Sequence, residues 1–156
     1  MFETGIRIGE TVTLQVGDVD LPAGRVTVRR GKGGRGRVIP IGATTSAVLE
    51  AYLSLRADHR ASGSQELWLG ERGTSLGYDG LSRALRRRAT LAGIAGFHPH
   101  KLRHTAAHRW LAAGGSESGL MAIAGWTRTD MLVRYTRAHA SERAAAEASR
   151  LGLGQL

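Results

Sequence analysis

The chain has 156 residues, no cysteine and a formal charge of +9 with its histidines neutral. One core suits that length, because a domain of this size buries roughly 70% of the surface its unfolded chain exposes, and a single domain is expected in place of two independent ones. No apolar stretch approaches the ~20 residues that cross a bilayer, and nothing in the opening or the cysteine count supports secretion, disulfides or thiolate-bound zinc, so a cytoplasmic chain away from membranes is expected.

In chain order, the opening Met-Phe-Glu-Thr-Gly reads as the last turn of a helix ending at Gly5, and a short helix is expected over 7–14. A connection over 16–20 and a turn at Pro22-Ala23-Gly24 follow. Alternating apolar residues then predict two strands, 25–29 and 37–40, with Gly31-Lys32-Gly33-Gly34 as the tip of their hairpin. Val48, Leu49, Tyr52, Leu53 and Leu55 fall near a 3.6-residue period, which predicts a core-facing helix over 46–57. A short strand is expected at 67–69.

The next segment, 76–91, sets Leu81, Ala84, Leu85 and Ala89 on one side of a helix and Arg83, Arg86, Arg87 and Arg88 largely around the other. After a break at Phe97-His98-Pro99, a helix over 100–113 should stop at Gly114-Gly115, where the left-handed conformation carries no side-chain penalty. Ser116 then caps a helix running to Ala124, Gly125 breaks it, 127–137 is helical again and an Ala-rich helix over 141–151 closes the chain. The predicted fold class is mainly α with a small antiparallel β-sheet, in a single domain over 1–156.

The positive balance favours a polyanionic partner, nucleic acid first. Twenty of the 22 basic residues are arginine, a bias that codon usage alone could produce, although a guanidinium does supply a planar fork that meets phosphate oxygens in pairs. The order of the polar motifs carries more information. Gly5-Ile6-Arg7 with Glu10 comes first, then Gly31-Lys32-Gly33, then His100-Lys101-Leu102-Arg103-His104, then Gly125-Trp126, and finally Tyr135, nine residues beyond Trp126. That series, which spans the chain from Phe2 onward, resembles the catalytic domain of the tyrosine recombinase (phage integrase) family.

The resemblance implies the tyrosine recombinase catalytic-domain fold, shortened at its N-terminus by loss of a core-binding domain. It also implies an enzyme that cuts and rejoins DNA through a covalent 3′-phosphotyrosine on Tyr135, with no cofactor. Arg7 and Arg103 would grip the non-bridging phosphate oxygens, in place of the divalent ions other nucleases use. Glu10, one turn from Arg7, would hold its guanidinium as an (i, i+3) pair. A tyrosine of ordinary pKa is only about 0.1% ionised at pH 7, so presenting the phenolate costs about 4 kcal/mol and a base is needed. His100 is the candidate for that base or for phosphate contact.

Lys32 would protonate the leaving 5′-oxygen, a task an ammonium performs better than a guanidinium. Trp126 stands where many family members carry histidine; its indole N–H donates but cannot take a proton, so it would hold the phosphate or pack against Tyr135. His104 would donate to a neighbouring backbone or phosphate group. Arg30, Arg35, Arg83 and Arg87 are the expected DNA contacts. Implied partners are double-stranded DNA and copies of the chain, a homo-tetramer on DNA when full length and a monomer in isolation, in the bacterial nucleoid.

Two other readings stand beside this one. His100, His104 and His108 form an i, i+4, i+8 stripe, but Lys101 occupies the place of the zincin glutamate and Arg103 would repel a cation, so no metal is expected. The arginine-bearing helices could equally serve a DNA-binding protein without catalysis, or the chain could be an inactive, truncated remnant of a recombinase.

Overall fold

A computed structural model describes residues 1–29, 36–71, 75–128, 132 and 140–152. Six helices stand among them: α1 (Ile8–Val12), α2 (Ala43–Ala57), α3 (Tyr78–Leu91), α4 (His100–Ala112), α5 (Glu117–Ala124) and α6 (Ala140–Arg150). With them stands a three-stranded antiparallel sheet in the order β1 (Val19–Asp20), β2 (Arg25–Val28), β3 (Arg37–Pro40). This is the expected mainly helical architecture with a small sheet.

Val26 pairs with Val19 on one side and Ile39 on the other, and Val28 pairs with Arg37. One face of the sheet therefore carries Val26, Val28 and Ile39, all buried, into a core completed by Ile6, Leu14, Ile41, Leu49 and Leu67. A second buried cluster, Ala107, Leu111, Leu120, Ala124, Trp126 and Leu132, joins α4 to α5 and to residues beyond the end of α5. Packing of α5 on β3 connects the two, and α1 packs on α3. No helix among the described residues is long and apolar enough to cross a membrane.

Several expected elements shift, each for a tertiary reason. The 16–20 connection contains a 3₁₀ turn, Val16–Asp18, and the strand β1, because Val19 and Asp20 find partners in Val26 and Arg25. Helix α2 begins three residues early: the Glu3 carboxylate accepts from Gly42 N–H at 2.6 Å and from the Thr45 hydroxyl, capping the helix from far away in the chain. Residues 67–69 form no ladder: Leu69 makes a single bridge with Ser75, and the residue before the segment, Glu66, makes one with Gln15. The Leu67 carbonyl is taken instead by Tyr52 Oη at 2.9 Å and Arg56 Nε at 3.2 Å.

On α2, Leu49 is buried, but Val48 and Leu55 are 65% and 75% exposed, so the apolar set does not all face the core. The inward stripe runs Leu49, Tyr52, Leu53 and then Arg56, which is buried with its guanidinium donating to the carbonyls of Ser62, Ser64, Glu66 and Leu67. A buried charge there closes the 58–67 loop onto the helix. The hairpin tip at 31–34 lies outside the described residues, as does all of the expected 127–137 helix except 127, 128 and Leu132, which is helical and buried.

Candidate active site

Gly5, at φ +62°, ends a turn closed by its N–H on the Met1 carbonyl at 3.0 Å. Ile6 then drops into the core and Arg7, extended at φ −73° and ψ 148°, opens α1. Glu10 is the third residue of that helix, so its carboxylate folds back to accept from the Arg7 backbone N–H at 3.0 Å and from Arg7 Nη1 at 3.0 Å. The expected (i, i+3) pair is present, with Glu10 buried and Arg7 partly open to solvent.

Helix α4 buries Arg103, Ala106, Ala107 and Leu111 on one face. Gly5 lies beside this face, where a Cβ on it would make ordinary contact, 3.7 Å, with Ala106 Cβ. Arg103 is 1% exposed and donates to the carbonyls of Gly5 and, at 2.7 Å, Ala124. Its guanidinium lies 5.2 Å from the centre of the Trp126 ring, a cation–π arrangement that places the indole beneath it.

His100 is the first residue of α4, directly after the buried Pro99. Its ring meets that of His104 edge-on at 4.6 Å. Partial desolvation, then the positive charges of Arg103, His98 and Arg7, lower its pKa below the usual imidazole value. At neutral pH the ring is therefore neutral and able to accept a proton.

Arg7, His100 and Arg103 line one open cleft of about 770 Å³, together with Arg83 and Arg86 from α3 and Tyr78 at its start. Four guanidiniums and two imidazoles, those of His98 and His100, converge there; Glu10 and Asp79 are the carboxylates of its wall. Trp126 is buried beneath Arg103 and is not among the residues that line the cleft. Arg87 lies exposed on α3 and also stands outside the lining, whereas Arg86, which the sequence pattern does not single out, is part of it. Lys32, Arg30, Arg35 and Tyr135 lie outside the described residues. No group of three or more potential metal ligands clusters among the described residues.

Arg37 is a further member of the site that no sequence motif marks. It is the first residue of β3, two before the buried Ile39, so strand alternation already puts it on the inward face. Its guanidinium meets Glu10 end-on, Nη1 to Oε1 at 3.0 Å and Nη2 to Oε2 at 2.8 Å, while Nε donates to the Ile123 carbonyl at 2.7 Å. Three successive carbonyls at the end of α5 are thus each taken by a different arginine: Ile123 by Arg37, Ala124 by Arg103 and Gly125 by Arg7, the last at 3.1 Å. Helix C-terminal carbonyls lack intrahelical donors and carry the negative end of the helix dipole, which is why guanidiniums gather there. Burial opposes the Glu10 charge, but the hydrogen bonds from Arg37 and the Arg7 backbone, with the charges of both arginines, hold its pKa below the ordinary value.

The sequence pattern of the phage integrase family matches residues 1–142. Tyrosine recombinase XerC of Roseiflexus castenholzii is 34% identical over 140 residues, covering 87% of this chain and 44% of that protein. Tyrosine recombinase XerD of Mycobacterium tuberculosis is 35% identical over 140 residues, covering 87% of this chain and 45% of that protein. The crystal structure of XerA recombinase superposes with a TM-score of 0.81 at 28% identity, over 95% of this chain and 54% of that one. The chain spans a little under half the length of these two curated relatives.

Proposed function

The chain belongs to the tyrosine recombinase (phage integrase) family, and from that premise we propose that it is a catalytic domain that cleaves and rejoins DNA strands through Tyr135. The observation that supports this most directly is the meeting of Arg7 and Arg103, 96 residues apart by subtraction of their positions, on one cleft and one helix end. A pentacoordinate phosphate gains negative charge, and two fixed cations beside it lower the barrier most where water is partly excluded.

In this reading the Tyr135 phenol oxygen attacks the scissile phosphorus and gives its proton to His100. The bond to the 5′-oxygen breaks, and Lys32 protonates that departing oxygen to give the free 5′-hydroxyl. One phosphodiester is exchanged for a phosphotyrosine ester, so no nucleotide is consumed, and a hydroxyl from another strand reverses the step. Arg83 and Arg86 would meet backbone phosphates beside the scissile one, and Trp126 would support Arg103 from below. The proposed partners are duplex DNA and further copies of the chain, four in the synapse, in the bacterial nucleoid.

A nicked suicide substrate tests the proposal. Wild-type protein should become covalently attached to the DNA, and Tyr135→Phe should abolish the attachment while still shifting the DNA in a binding assay. Attachment that persists in Tyr135→Phe would reject the nucleophile, and a wild-type protein that binds the substrate without ever attaching to it would favour the non-catalytic DNA-binding reading.

A further inference from the structure

We infer that Arg37, on β3, is a positioning residue for strand cleavage: it fixes the Glu10 carboxylate, and through it the Arg7 guanidinium, against the C-terminal end of α5. The inference rests on the role proposed for Arg7 and concerns a residue that does not itself line the cleft among the described residues.

The geometry is that of a shared clamp. Each Glu10 oxygen accepts twice, Oε1 from Arg7 Nη1 and Arg37 Nη1, and Oε2 from the Arg7 backbone and Arg37 Nη2. Arg7 alone meets each carboxylate oxygen with one N–H, Oε2 through its backbone and Oε1 through a single side-chain nitrogen. The parallel two-bond fork from Arg37 sets the plane of the carboxylate and so the direction of the Oε1 lone pairs that Arg7 uses.

Arg37 is itself held from three sides. Its Nε donates to Ile123, its fork grips Glu10, and Gly125 packs so tightly on it that a Cβ there would come within 2.8 Å of Nη1 and 2.9 Å of Cζ. Side-chain exposure falls from 29% at Arg7 to 10% at Arg37 and 8% at Glu10, so Arg37 holds the cleft-wall carboxylate from the protein side, where their hydrogen bonds are shielded from water. Arg7 thus touches the cleft and Arg37 stabilises its orientation from the protein side.

Two measurements on the full 156-residue chain test this. The first is single-turnover covalent attachment to a nicked substrate as a function of DNA concentration. Arg37→Ala should lower the rate at saturating DNA by about ten- to a hundredfold, the scale expected when a catalytic group is displaced by an ångström or less, with the half-saturating concentration nearly unchanged. Arg37→Lys, which keeps the charge but not the fork, should recover the melting temperature more fully than the rate.

The second is the heteronuclear NOE of the Arg7 side-chain Nε, which needs no activity. It should be rigid in the wild type and mobile in both variants. A saturating rate equal to the wild type in folded Arg37→Lys and Arg37→Ala, or an Arg7 side chain that stays equally ordered, would overturn the inference. Wild-type protein that never attaches to DNA, with Arg7 loosened by Arg37→Ala, would instead sink the proposed function and leave the positioning role standing.

Discussion

The Gly125 carbonyl accepts a hydrogen bond from Arg7 at 3.1 Å across a separation of 118 residues, so the first turn of the chain and the end of α5 hold a common geometry. Gly125 sits at φ +64°, and its neighbour on the other side is the Arg37 guanidinium. Both features demand glycine: one by backbone conformation, the other by space.

Gly125→Ala should therefore be costly. The left-handed backbone alone costs an L-residue about 1–2 kcal/mol, and the added methyl must also displace a guanidinium held by three hydrogen bonds. A fall in melting temperature of about 4–8 °C is expected on the scale of about 2–4 °C per kcal/mol for domains of this size. Differential scanning calorimetry showing a shift of less than about 1 °C would contradict this.

Arg7 and Arg103 should separate on stability. Removing Arg103 strands two buried carbonyls, those of Gly5 and Ala124, at about 1–3 kcal/mol each, so Arg103→Ala is expected to lower unfolding free energy by about 3 kcal/mol or more as well as abolish cleavage. Arg7 is more open and its loss leaves Glu10 paired with Arg37, so Arg7→Ala should abolish cleavage at a stability cost below about 2 kcal/mol. Urea unfolding of the two variants gives the comparison, and equal midpoints would refute it.

Glu10 makes stability sensitive to acid. Its pKa in the folded chain is held below the unfolded value, so its contribution is complete above the ordinary glutamate range and is lost as pH falls through the lowered folded value. Glu10→Gln should cost about 3 kcal/mol at pH 7, because it leaves Arg37, whose side chain is only 10% exposed, without its counter-charge. The gap between wild type and variant should shrink steadily on acidification below about pH 4.5. A gap that stays constant from pH 7 to the acid limit of folding would show that the charge of Glu10 does not contribute.

His100, the proposed base, should set the acid limb of the cleavage profile. Since its pKa is lowered, first by desolvation and then by the neighbouring cations, the neutral base persists to more acid solution than an ordinary imidazole allows. The apparent kcat/KM for attachment should rise with pH through a midpoint below about 6.5, the value of an unperturbed histidine, and be flat by neutrality. His100→Gln should flatten that limb along with a large loss of rate. A midpoint above about 7 would rule out the assignment.

The two cleft arginines of α3 should differ from their neighbour in salt dependence. Arg83 and Arg86 line the cleft, and Arg87 does not. Each of Arg83→Ala and Arg86→Ala should reduce the slope of log K against log salt by about 1, the release expected for one phosphate contact, and Arg87→Ala should reduce it less. Fluorescence anisotropy across a salt series measures this, and identical slopes for all three would remove the cleft as the phosphate track.

Much of the molecule was legible in the amino-acid order, because helical and strand periods are local. The apolar stripe of α3 and the arginines opposite it follow from 3.6 residues per turn, and so does the meeting of Arg7 with Glu10 one turn away. Ser116 accepting from Gly119 N–H at 3.1 Å and Gly125 ending α5 at positive φ follow from equally local chemistry. The family motifs named Arg7, His100 and Arg103 before any of them had a position in space.

Tertiary structure alone decided which partners those groups found. Arg37 looks like one more charged residue in a strand until β3 packs on α5, and Glu3 looks like a terminal acid until it caps α2. The hydrogen bonds from Arg37 to Ile123, from Arg103 to Ala124 and from Arg7 to Gly125 all end on backbone carbonyls. A carbonyl is the same chemical group at every residue, so no local pattern marks the three that will be exposed at the end of one helix. Only the fold selects them, and in doing so it brings cations spread through the chain around a single point.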